Sequence, residues 1–93
     1  MLMARIEVSR RHDLGFEAAR KAVEAVALQL KRDLRANHAW HGDTLTFECP
    51  GAQGCIHVTG DNVRVTVDLG WMLGPMRGQI ERAINQYLDE GLA

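Results

Sequence analysis

The fold is decided by the stretch GCIHVTGDNVRVTVDL, residues 54–69. From Val63 to its end, the stretch places an apolar residue at every other position, with polar residues between. A period of two predicts a strand that buries one face. The pair Gly60-Asp61 has the composition of a two-residue hairpin turn of type II′, and such a turn brings Val58 opposite Val63. The stretch therefore predicts a β-hairpin with one apolar face.

A second hairpin is predicted just before this one. The pair Gly42-Asp43 lies between two stretches rich in strand-forming residues. A two-residue turn there places Trp40 opposite Leu45 and His38 opposite Phe47. Large side chains then meet across the hairpin, as a correct register requires.

The two hairpins are expected to be joined by a loose loop over residues 50–53. The apolar pattern favours pairing Phe47 with Ile56, which sets the facing of the two cysteines. Cys49 is then expected on the apolar face and Cys55 on the polar face, so we predict no disulfide between them.

One strand and two helices complete the chain. The alternation of Ala4, Ile6 and Val8 with polar residues predicts a first strand. Apolar residues then recur every three or four positions over residues 16–34, and predict an amphipathic helix with Asp13 as N-cap and Asn37 at its end. A second helix is predicted from Pro75, which suits a first helical turn, to Gly91. Its apolar face consists of Met76, Ile80, Ala83, Ile84, Tyr87 and Leu88.

The predicted fold class is α+β, in the order β-α-β-β-β-β-α. Burial of every apolar stripe requires a five-stranded, mostly antiparallel sheet with both helices on one face, an arrangement like an abridged helix-grip fold. The first strand is expected at the edge, antiparallel to the last strand; the alternative places it parallel to the second strand through a right-handed crossover. We expect residues 1–93 to form a single domain with a filled core.

Composition and charge exclude several function classes. The chain has 11 Lys and Arg against 12 Asp and Glu, a net charge of -1, which disfavours nucleic-acid binding. No apolar run approaches the length of a membrane span, and too few apolar residues precede Arg5 for a secretory signal. A cytoplasmic protein, either a monomer or a weak homodimer, is expected.

No motif for catalysis, a metal or a cofactor is present in the sequence. The residues 70–74 lack the Lys-Ser/Thr ending of a phosphate-binding loop, and Ser9 is the single serine. His38 and His41 lie three apart on a predicted strand, so they face opposite sides and do not pair as metal ligands. We therefore expect no enzyme, with no catalytic residue, metal or cofactor.

The most unusual segment is residues 70–76, Gly-Trp-Met-Leu-Gly-Pro-Met. One interpretation is that Trp71 and Leu73 cover the end of the core. The other is an exposed apolar contact surface made of Trp71, Met72, Leu73 and Met76, which we call the apolar corner.

Nearly the whole chain resembles the polyhydroxyalkanoic acid system family of small bacterial proteins. The resemblance is carried by residues 12–20, 40–47, 54–58, 63–65 and 69–75, with Ile80, Ile84 and Leu88. It implies an accessory role in polyester storage, with the granule surface or granule proteins as partners and a location in the cytoplasm at the granules. The alternative is a small helix-grip-like domain that binds an apolar small molecule.

Overall fold

The computed structural model of the protein describes residues 2–92, and side chains from Arg5 onward, so the predicted facing of Ala4 lies outside the described part. Five strands and two α-helices form within these residues. The elements are β1 Leu2–Arg11, α1 Gly15–Leu34, β2 Asn37–His41, β3 Thr44–Cys49, β4 Ala52–Val58, β5 Asn62–Gly70 and α2 Arg77–Gly91, with a 3₁₀ turn at Gly74–Met76 before α2.

The strands form one antiparallel sheet in the order β1-β5-β4-β3-β2. Strand β1 lies at the edge beside β5, with Ile6 opposite Val67 and Val8 opposite Val65. This arrangement confirms the predicted α+β class and strand order, and it rules out the parallel crossover alternative for β1.

Both predicted hairpin pairings are confirmed. Trp40 lies opposite Leu45 across the first turn, where Gly42 has φ +68° and Asp43 is not left-handed, as type II′ requires. Val58 lies opposite Val63 across the second turn, but Gly60 is not left-handed there, so the type II′ prediction is wrong. The Thr59 hydroxyl instead shapes that turn, because its oxygen accepts from the amides of Asp61 and Asn62 at 3.5 and 3.0 Å.

The register between β3 and β4 differs from the predicted one by two residues. Leu45 lies opposite Ile56, whereas Phe47 lies opposite Gly54. The reason is the connection, which is a tight turn at Pro50-Gly51 rather than a loose loop, so that β4 begins at Ala52. A shift of two residues leaves every side chain on its predicted face.

The ends of α1 also differ from prediction. Asp13 does not cap the helix; the Leu14 amide donates to Nδ1 of His12, which is buried. At the other end Arg35 has φ +59° and ends the helix, so Asn37 is free to begin β2. The helix therefore begins without a side-chain cap, and its left-handed end at Arg35 is not evident from the sequence, because Gly and Asn are the usual residues there.

The core lies between the sheet and the two helices, and it is divided. The main cluster joins α1, α2 and the inward residues of four strands: Ile6, Ala19, Val23, Ala27, Leu45, Ile56, Val58, Val63, Val65, Val67, Leu69 and Leu88. A second, smaller cluster is formed by Val26, Leu30 and Ala36, with Cys49 and Tyr87 packed against it. Helix α2 contributes one fully buried residue, Leu88.

Candidate functional site

The apolar corner is a turn between β5 and the 3₁₀ segment. The Leu73 amide donates to the Gly70 carbonyl at 3.1 Å, which makes Trp71 and Met72 the two central residues of a β-turn. The Met76 amide then donates to the Leu73 carbonyl at 2.9 Å. The turn is therefore ordered by backbone hydrogen bonds while its two central side chains project outward.

The four residues of the corner differ in exposure. Trp71 is 66% exposed, Met72 71% and Met76 45%, whereas Leu73 is half-buried and packs against the main cluster. The core-cover interpretation thus holds for Leu73, but it is wrong for Trp71. Three large apolar side chains are left in contact with water at one end of the molecule.

A close contact with Gly51 fixes the position of Leu73. Gly51 has φ +86°, and a Cβ on it would lie 2.9 Å from Cδ1 of Leu73. The Gly70 amide donates to the Gly51 carbonyl at 2.8 Å. The β3–β4 turn and the corner therefore hold each other in place, and this contact needs glycine at position 51.

A cleft of about 490 Å³ opens beside the corner, between the two helices and the sheet. It is lined by Val26, Leu30, Leu34, Phe47, Cys49, Pro50, Ala52, Ile56, Val65, Val67, Leu69, Leu73, Met76, Gln79, Ile80, Ala83, Ile84, Tyr87 and Leu88. The expectation that little space remains between the helices and the sheet is therefore wrong at this opening. The cleft is open to solvent and is not an internal void, and the strand residues beneath it, such as Ile56 at 2% exposed, remain buried.

The cleft lies between the last half of α1 and the first half of α2. One wall is formed by Val26 and Leu30 of the smaller cluster. The opposite wall is formed by Ile80 and Ile84, which are half-buried and pack against the main cluster. Farther along α2, Tyr87 packs against the smaller cluster, so the two helices are in contact there.

Few polar groups reach the cleft. The Tyr87 hydroxyl donates to Asp33 at 3.5 Å, and burial, together with the Asp33 carboxylate, raises the pKa of Tyr87. Burial also raises the pKa of the Cys49 thiol. Both groups therefore stay neutral at physiological pH, and the cleft has a neutral lining.

The corner and the cleft are continuous. Leu73 and Met76 belong to the corner and also line the cleft, whereas Trp71 and Met72 lie outside it. One apolar surface therefore runs from the exposed turn into the interior. The two parts can be altered independently.

Several other polar side chains of the described residues make contacts between elements. Within residues 2–92, no group of three or more His, Cys, Asp and Glu side chains converges as a metal site would. Glu24 is instead a link between α1 and β2: it accepts from Trp40 Nε1 at 2.7 Å and lies 3.1 Å from Nε2 of His38. The Arg20 guanidinium stacks 4.3 Å from the ring centre of Trp40 and completes this link.

Cys49 and Cys55 are free thiols on opposite faces of the sheet, as predicted. The outer face, opposite the helices, is polar, as the alternation of the strands predicts. It carries an ion pair between Arg5 and Asp68 at 2.7 Å, and the hydroxyl of Thr44 lies 2.9 Å from His57 Nδ1.

No helix among the described residues is long and apolar enough to cross a membrane.

The sequence indicated the corner but not the cleft. The corner was visible because glycine and proline bracket an apolar run. The cleft was not, because each of its residues also fits the ordinary apolar stripe of a packed helix or strand. A weak signal is present in the face of α2, where Ala83 is small and Gln79 is polar at the position beside Ile80.

A family model for polyhydroxyalkanoic acid system proteins (PHA_gran_rgn) matches residues 6–92. The match includes both helices, nearly all of the sheet, the corner and the cleft. No curated protein and no solved structure matched the chain. The family match confirms the resemblance found in the sequence, and the chain belongs to the family of polyhydroxyalkanoic acid system proteins.

Proposed function

We propose that this protein is a non-enzymatic accessory protein of polyester storage, and that it associates with the granule polymer through the apolar corner. The single observation that carries the proposal is the exposure of Trp71 and Met72 at 66% and 71%, on a turn ordered by its own backbone hydrogen bonds. Family membership supports the polyester as the hydrophobic partner. The location that follows is the cytoplasm, at the granule surface.

Charge does not contribute much to this association. The net charge is -1, so the attraction has to come from apolar surface. Complete burial of a methionine side chain stabilises by about 1.5 to 3 kcal/mol. Met72, which is 71% exposed, can therefore contribute about 1 to 2 kcal/mol, or about fivefold to thirtyfold in affinity. A contact of this size is reversible.

The test is co-sedimentation of the protein with protein-free polyhydroxyalkanoate particles and with native granules. Met72→Gln is expected to weaken binding to both by about fivefold to thirtyfold, while the free energy of unfolding stays within about 0.5 kcal/mol of the parent. Leu28→Gln is the matched control, because Leu28 is an exposed apolar residue, at 53%, on the outer side of α1. The control is expected to bind as the parent does.

Three outcomes count against the proposal. Equal binding by Met72→Gln and the parent would remove the corner from the interface. Equal losses in Met72→Gln and Leu28→Gln would indicate nonspecific adsorption. Binding to native granules but not to protein-free particles would identify a granule protein, and not the polymer, as the partner.

A further inference from the structure

We propose that the cleft between the helices binds the aliphatic chain of one small amphipathic molecule, with the polar end of that molecule at the opening. The site is separate from the surface contact made by Trp71 and Met72, and it does not depend on granule association. The proposal is supported by the shape of the cleft, the chemistry of its lining and the way in which α2 is held.

The shape of the cleft favours a slim ligand. Its rim includes Leu34 and Met76, which are 52% and 45% exposed. Its base is the covered surface of the core, because Ile56 is only 2% exposed. A ligand would therefore contact mainly the half-buried apolar side chains between rim and base, such as Ile80 and Ile84. A flexible hydrocarbon chain can lie along this apolar surface.

The lining selects hydrocarbon over charged groups. Among the described residues, the side chains that line the cleft carry no formal charge, and the polar ones are Gln79, Tyr87 and the Cys49 thiol. A carboxylate or phosphate taken into this space would lose its hydration without gaining an ionic partner. The chain of the ligand therefore enters first, and its polar group stays where water can reach it. A volume of about 490 Å³ lies within the usual range of small-molecule sites.

Polar contacts hold α2 over β1 and keep the cleft from closing. At the start of α2, Arg77 Nε donates to the Arg5 carbonyl at 3.2 Å. Near its end, Arg10 is hydrogen-bonded to Asp89 and, at 3.0 Å, to Asn85. Both contacts join α2 to the edge strand at the far side of the sheet from α1. They oppose the sideways movement by which α2 would fill the space.

The helices do meet at one end. A Cβ on Gly91 would lie 3.3 Å from Cγ2 of Val26 and 3.7 Å from the Ala22 carbonyl, so α1 and α2 are in close contact there. The Tyr87 hydroxyl also reaches Asp33, so the last turns of α2 close the cleft against α1, and the cleft is a wedge that opens between Leu34 and Met76. A wedge open at one end fits a ligand with one apolar and one polar end.

The first experiment measures binding of dansyl-labelled undecanoic acid by fluorescence, with decanol and decanoic acid as competitors. We expect saturable binding of one molecule per chain and displacement by both competitors, because the alkyl chain is what is recognised. Ala83→Phe fills the cleft from α2 and is expected to weaken binding by about tenfold or more, whereas Ala25→Phe, on the exposed side of α1, is expected to change it by less than about twofold.

A second experiment does not rely on a cleft-filling variant. Cys49 lines the cleft and Cys55 lies on the outer face, so each thiol can be alkylated alone in the Cys55→Ser or Cys49→Ser variant. Saturating decanol is expected to slow alkylation of Cys49 about fivefold or more and to leave Cys55 unchanged. This readout remains valid if Ala83→Phe does not fold.

The proposal is overturned if the folded parent shows no saturable uptake, or if decanol does not protect Cys49. It is also overturned if decanoic acid displaces the probe and decanol does not, since the carboxylate would then be the recognised group. The Met72→Gln variant distinguishes ligand binding in the cleft from the proposed association with the granule polymer. It is expected to bind the probe as the parent does while losing affinity for polyester particles, so failure of one proposal is distinguishable from failure of the other.

Discussion

Gly54 offers the sharpest test of the packing that forms the cleft wall. It lies in β4 opposite Phe47 on one side and Val67 on the other. A Cβ at this position would stand 2.3 Å from the backbone oxygen of Thr66 and 2.8 Å from Cζ of Phe47. Since the oxygen belongs to the main chain, Gly54→Ala can be accommodated only by moving β4 away from β5.

The cost of Gly54→Ala follows from these distances. Carbon–oxygen contacts in sheets are about 3.3 Å or longer, so the new methyl group is about 1 Å too close. Overpacking costs about 1 to 3 kcal/mol, and more where the backbone has to move, so we expect a loss of about 3 kcal/mol or more. A domain of this length has about 5 to 14 kcal/mol of stability in all. The melting temperature should fall by about 12 °C or more.

Urea unfolding followed by far-ultraviolet circular dichroism measures this loss. Gly60→Ala is the matched control, because a Cβ there meets nothing within 4 Å and the residue is not left-handed. It is expected to stay within about 0.5 kcal/mol of the parent. If Gly54→Ala unfolds at the same urea concentration as Gly60→Ala, the close packing of Phe47 across β4 is refuted.

Three further predictions can be checked by the same unfolding measurements. Glu24→Ala removes the acceptor of Trp40 and the partner of His38, and should lower the free energy of unfolding by about 1 to 2 kcal/mol. Glu24→Gln should lower it less, and equal losses in the two variants would contradict the hydrogen-bonding role of Glu24. Gly78→Ala places a methyl group in open space on α2 and should raise stability by about 0.5 to 1 kcal/mol; no gain would indicate that this turn is not helical in solution. Because burial raises the pKa of Cys49, the folded chain keeps the thiol proton to higher pH than the unfolded chain, and stability should decline as the pH rises above about 8.5. Cys49→Ala should reduce that decline. If the free energy of unfolding keeps the same pH dependence in this variant, the decline does not come from the raised pKa of Cys49.

The sequence by itself determined the features that depend on neighbouring residues. Alternation with a period of two fixes which face of each strand is apolar, so the inward positions from Val63 to Leu69 were predictable. Two-residue turns fix the pairing on either side, as at Gly42-Asp43. The apolar corner is also a local feature, because glycine and proline residues within a few positions of Trp71 predict a turn there. The family resemblance rests on these local elements as well.

The tertiary structure decided what depends on residues far apart in the chain. The register of β3 against β4 follows from the tight turn at Pro50-Gly51, whereas the apolar pattern alone favours Phe47 opposite Ile56, two residues away from the observed pairing. The cleft depends on the separation of α1 from α2, which is set by contacts of α2 with Arg5 and Arg10 of the edge strand. An amphipathic stripe has the same spacing whether it faces a packed neighbour or an open space. Whether the two helices pack together along their whole length therefore depends on where α2 is held on the sheet. The periodicity of the sequence does not specify the separation of α1 from α2.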